Sequence, residues 1–226
     1  MTAFSGFSSA AIDALAEMPG WSKDDYDARK GELKDGLTAP AIALVSDLRE
    51  RMSQVLDREL TIAPKIGGSV SPLHRDLRFA KDKSERYKDH LLMTMWDGTD
   101  KRTAPMLWLR LGADSAGFAS GIGFDKTIRE RWRTAIGEAS GASLVEALAD
   151  LSAHHPVDIA GQTLARVPKP WPADHPRADL LRHTGFQVRW AEPYADNVAS
   201  AMFADWAETR LAELADVHHW LVNHVS

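Results

Sequence analysis

Apolar residues recur every three or four positions through 39–57, at Ile42, Val45, Leu48, Met52 and Val55. That spacing puts them on one face of an α-helix, and Thr38 followed by Pro40 marks its start. Shorter helical stretches come first. Ser8 caps one that carries Ile12 and Leu15 and stops at Gly20. Ser22-Lys23-Asp24-Asp25 reads as a capping box opening a second, which Gly31 weakens and Gly36 ends.

The period then changes. Residues 61–66, 91–96, 106–111 and 116–123 read as strands, with Pro64 confining the first to an edge or a bulge. Asp97-Gly98 and Gly112-Ala113-Asp114-Ser115 supply turns between them. Turns this short join antiparallel strands, since parallel neighbours need a crossover of about a dozen residues or more. Helices return after that. Asp125 caps one carrying Ile128, Trp132, Ala135 and Ile136, and Ser143 to Glu146 forms a capping box ahead of Leu148 and Leu151. Residues 157–160 and 163–167 read as a hairpin about Gly161-Gln162. Phe186, Val188 and Trp190 alternate with Gln187 and Arg189 as a half-buried strand. A last helix from about Asp196 gathers Val198, Met202, Trp206, Leu214, Val217 and Leu221 on one face. The pattern is that of one α+β domain over residues 1–226, a mostly antiparallel sheet flanked by N-terminal and C-terminal helices.

Composition narrows the chemistry. At 226 residues and 44% apolar, the chain can bury a core without disulfides or a structural metal. The absence of cysteine excludes thiolate metal sites and thiol nucleophiles. No window reaches the roughly 20 apolar residues of a membrane span. The start has no basic region or long apolar run, so a cytoplasmic location without a membrane partner is expected. A net charge of −5 argues against nucleic acid. The adjacent pairs His154-His155 and His218-His219 point apart, and no His-Glu-x-x-His occurs, so no metal is expected. Gly121-Ile122-Gly123-Phe124 lacks the third glycine of a dinucleotide fingerprint, and no Gly-x-Ser-x-Gly elbow occurs, so no cofactor is implied.

One segment departs from the acidic background. Residues 74–88 hold Arg75, Arg78, Lys81, Lys83, Arg86 and Lys88 against Asp76, Asp82 and Glu85. Two readings stand open. In the first, Arg75, Arg78, Lys83 and Lys88 hold a small phosphate- or carboxylate-bearing ligand. Asp76 orients them and Tyr87 is an acid or base, which makes Asp76 and Tyr87 the catalytic candidates. In the second, the alternating charges are an internal salt-bridge network in a non-enzymatic scaffold or interaction protein. Arg166, Lys169 and His175 form a second cationic group, beside a stiff loop with four prolines in 168–176. They are expected to line the same cleft, Arg166 otherwise being an exposed position of a hairpin strand.

Arg75-Asp76-Leu77-Arg78-Phe79-Ala80-Lys81-Asp82-Lys83, followed by Tyr87-Lys88, resembles the signature of the domain of unknown function 2461 family, bacterial proteins of about this length. Phe4-Ser5-Gly6-Phe7, Leu164 to Lys169, and Asp174-His175-Pro176 are similar to further blocks of that family. Gly121 to Phe124, ahead of a helix with Arg129, is a looser match. The chain departs from the family at Ser84-Glu85-Arg86, where a proline usually precedes the tyrosine, and at His74, where another arginine is common. The resemblance implies a class and a length, and no particular reaction.

Overall fold

The computed structural model describes residues 3–78, 84–194 and 196–226. Helix α1 (Ser9–Glu17) runs into a 3-10 turn, Met18–Gly20. The capping box forms as the sequence requires. Asp25 N–H donates to Ser22 Oγ, and Ser22 N–H donates to the Asp25 carboxylate, opening α2 (Lys23–Leu33). Gly36, expected as a stop, is not one. A π-helical turn, Lys34–Thr38, carries the chain straight into α3 (Ala39–Val55). The glycine serves a close approach instead. A Cβ there would lie 2.7 Å from Ser8 Cβ and 2.9 Å from Ala11 Cβ, so its absence lets α1 in. Gly36→Val is therefore expected to push α1 outward and cost about 1–3 kcal/mol, read as a lower denaturation midpoint.

Strands β1 (Leu91–Trp96), β2 (Met106–Leu111) and β3 (Ser115–Gly123) form a meander at the expected places. Helices α4 (Lys126–Gly137) and α5 (Ser140–His154) follow, then β4 (Asp158–Ala160), the short α6 (Ala178–Leu181) and β5 (Gly185–Pro193). The sheet is antiparallel, in the order β1-β2-β3-β5-β4. Asp125 caps α4 by accepting from Ile128 N–H at 2.8 Å. After a 3-10 turn, Asp196–Ala199, the chain ends in α7 (Met202–Ala212) and α8 (Ala215–His224). Helix α3 packs against β1, α7 against β2 and β3, and α8 against β3. Leu107, Leu109 and Leu111 are buried on one face of β2, and Trp108 and Arg110 alternate onto the other. One apolar cluster runs from Phe4 to Val225 and joins the terminal helices to the sheet.

Four expectations fail locally. The single last helix expected from about Asp196 is a 3-10 turn followed by two helices, α7 and α8, divided by a turn at Glu213-Leu214. Residues 61–66 form isolated bridges, Thr61 to Trp96 and Ile66 to Val70, rather than a strand. Pro64 has no N–H to give a ladder. The expected hairpin of 157–167 does not form either. β4 pairs with β5, where it satisfies backbone groups on an otherwise open edge, and Thr163 meets His183. Ser143 lies inside α5 and its hydroxyl donates back to Ser140 O. No helix among the described residues is long and apolar enough to cross a membrane.

Candidate functional site

The described residues of the charged motif, 74–78 and 84–88, belong to a two-stranded ribbon that runs up to the Leu91 end of β1. Arg75 N–H donates to Arg86 O and Lys88 N–H to Leu73 O, each at 2.9 Å, with His74 bridged to Tyr87. Ser71 N–H donates to Leu92 O, which fixes the ribbon to the sheet edge. Leu73 and Tyr87 are buried. Tyr26 of α2 stacks on Tyr87 with ring centroids 4.6 Å apart, and His74 meets both rings edge-on. Burial and the nearby Asp27 push the Tyr87 phenol above its ordinary range, which argues for an anchoring ring rather than a base near neutral pH. Lys83 and the rest of residues 79–83 lie outside the described residues.

Arg75, Asp76, Glu85, Tyr87, Lys88 and Asp89 surround a hollow of about 480 Å³. Its charges are largely matched in pairs. Arg75 bonds Glu85. Arg78 grips Asp76 through Nε at 2.9 Å and Nη2 at 2.7 Å, and its own N–H donates to the same carboxylate. These bonds draw the Asp76 pKa down to about 2. Asp89 takes His90 at 2.5 Å and Arg110 at 3.3 Å. Lys88 differs. Its Nζ donates to Pro72 O at 2.8 Å, and no carboxylate among the described residues reaches it. Burial draws its ammonium below the usual lysine range.

The second group stands apart. Leu91, where the ribbon joins, is level with Leu111 and Ala116. The segment with Arg166, Lys169 and His175 joins at His183 and Gly185, and Gly185 is level with Gly123. Ala116 and Gly123 lie at opposite ends of β3, about 23 Å apart at the usual strand rise. The expected shared cleft is thus replaced by two regions at opposite corners of the sheet. Arg166 and Lys169 are exposed there. His175 is half-buried, its Nδ1 accepting from Arg177 N–H at 3.1 Å. A further hollow of about 550 Å³ lies along the open sheet face, beside Trp108, Arg110 and Arg189. Its arginines are held by Asp89 and Asp158.

The sequence reading passed over a buried polar chain. Ser120 Oγ and His218 Nδ1 are 3.3 Å apart, and His218 Nε2 is 4.0 Å from Asp97 Oδ2. Asp97 is held in turn by the Arg58 fork. Ser120 and His218 are fully buried, which denies the serine a substrate. The group is a polar tie between β3, α8 and the end of β1. Its signal in the sequence was a serine inside the apolar run of β3.

Among protein families, the one described as conserved hypothetical protein (DUF2461) matches the chain over residues 22–220. The match takes in the ribbon motif and the proline-rich loop, and leaves Phe4-Ser5-Gly6-Phe7 outside it. No curated protein matches the chain.

Proposed function

The chain belongs to the DUF2461 family, and we propose that its ribbon hollow binds a small phosphate- or carboxylate-bearing ligand through Lys88. The observation that carries this reading is the charge balance of the hollow. Among the described residues, each carboxylate around it already has a cation, whereas the partly desolvated Lys88 ammonium is met by a single carbonyl. A carbonyl dipole offsets less of that charge than an anion does, so a ligand oxyanion is the natural complement. Arg75 stands beside it, and the Asp76–Arg78 pair shapes the rim.

The structural-network reading also has an observation in its favour, since Arg75 and Arg78 are taken by Glu85 and Asp76. Asp76 and Arg78 are exposed, however, so their pair is weak as a tether. Asp76→Ala is expected to leave the denaturation midpoint in place. Lys88→Met, which keeps the apolar stem, is expected to leave the melting temperature in ligand-free buffer unchanged or higher.

The deciding experiment is a thermal-shift series with acetate, phosphate and chloride at constant ionic strength. Wild-type protein should be stabilised saturably by acetate or phosphate beyond chloride, and Lys88→Met should lose part of that response. Equal responses in the two proteins, with Asp76→Ala clearly destabilised, would hand the motif to the structural reading.

A further inference from the structure

Arg129 and Arg133 are one helical turn apart on α4, so their side chains share a face. Both are half-buried. The Nε of each is shut off from solvent and has no hydrogen-bond partner. Among the described residues no carboxylate forms an ion pair with either. Glu130, their neighbour on the helix, acts on Arg133 at a distance too long for a bond, and burial and Arg129 both oppose the Arg133 charge. Two like charges partly withdrawn from water side by side repel each other, and an anion between them would relieve that repulsion. Arg75, Arg78, Arg110 and Arg189, by contrast, each hold a carboxylate, and Arg177 holds backbone carbonyls.

The surroundings define a site. Residue 137 continues the stripe of 129 and 133 by one more turn. A Cβ at Gly137 would overlap the Trp171 ring, so the indole lies against this stripe, one turn from Arg133. Arg177 roots the loop here, donating to Ile136 O at 2.5 Å and Glu138 O at 2.8 Å. Lys169, two residues before Trp171, is exposed on the same loop.

We propose that Arg129 and Arg133 clamp the phosphate dianion of a small phosphomonoester, with the Trp171 loop as its wall. Two guanidinium charges that no described carboxylate pairs match one dianion, and two planar forks present donors to its oxygens. A carboxylate neutralises half of that charge. The site lies at the other corner of the sheet from Lys88 and shares no residue with that hollow, so either can fail alone.

The test uses Arg129→Met and Arg133→Met, which keep the packing stems, in the full chain. Inorganic phosphate and glycerol phosphate are titrated at pH 7.5 and constant ionic strength, with chloride as the screening control. Wild-type protein and Lys88→Met should bind both phosphates, glycerol phosphate at least as tightly. Each arginine variant should bind at least tenfold more weakly. Without phosphate, both variants should melt no lower than wild type, because a repelling charge has been removed. Affinity should also fall as the pH drops through about 6, where a phosphomonoester becomes a monoanion. Unchanged affinity in both variants overturns the clamp, as does a phosphate response no larger than that of chloride. Lower melting of both variants would make the arginines structural, and binding of inorganic phosphate alone would overturn the ester.

Discussion

Trp132→Ala is expected to destabilise the protein by about 3–5 kcal/mol, as other buried tryptophan truncations do. Trp132 is fully buried and links four elements. Its ring centroid is 4.8 Å from that of Phe186 on β5, 5.6 Å from that of Trp220 on α8 and 5.2 Å from that of Phe124. Its indole N–H donates to Leu180 O at 2.8 Å, which fixes α6. Truncation opens a cavity among rigid rings, which collapse poorly, and leaves that carbonyl without its donor. A denaturant titration checks this through a lower midpoint at unchanged slope. Trp171→Ala provides the contrast. Its ring is only half-buried against the surface of α4, so its loss should cost far less.

His218 should make the fold acid-labile over a defined window. Burial lowers its pKa from 6.5 to about 4, and Asp97 opposes that shift while His219 and Arg58 add to it. The unfolded chain therefore takes up a proton at higher pH than the folded one. Stability is complete above about 6.5, falls as pH drops toward 4, and levels off below that. The loss across the window is about 3 kcal/mol. Carboxylates with lowered pKa values, Asp25, Glu32, Asp76 and Asp89, lose their contribution at lower pH still, so the two effects separate. His183, also lowered by burial, adds in the same direction as His218. Denaturation midpoints of His218→Gln across pH 4–7 provide the check. Whatever its absolute stability, the variant should show a much flatter acid limb, and an unchanged limb would mean that His218 is protonated in the folded protein.

The parts of the fold legible in the sequence were those whose partners are near in the chain or repeat with a period. The α3 stripe from Ile42 to Val55, the Ser22 and Asp125 caps and the 91–96 and 106–111 strands follow from local chemistry. What the sequence concealed depends on distant partners. Gly36 carries the same local signal whether it ends a helix or admits another one, and only the approach of Ser8 and Ala11 decides. The strand 158–160 had a turn and a neighbour in sequence, but β5 offered the better edge. The Ser120–His218 contact joins residues 98 positions apart, which no spacing rule reaches.

The candidate site divides the same way. Charge density marked the ribbon, because six cations within fourteen residues are visible in any reading. Which of them are matched was not visible, since that depends on the ribbon register setting Arg75 against Glu85 and leaving Lys88 beside a carbonyl. Arg129 and Arg133 stood at helical spacing throughout, but their lack of carboxylate partners shows only once the chain is folded.

Anion binding at Lys88 is best examined by a phosphate titration followed residue by residue in 1H–15N correlation spectra. At constant ionic strength, the amides of Arg75, Tyr87 and Lys88 should move along saturating curves, and in Lys88→Met those movements should disappear while any at Arg129 and Arg133 persist. Ribbon amides that stay still, or that move as far with chloride as with phosphate, would contradict it.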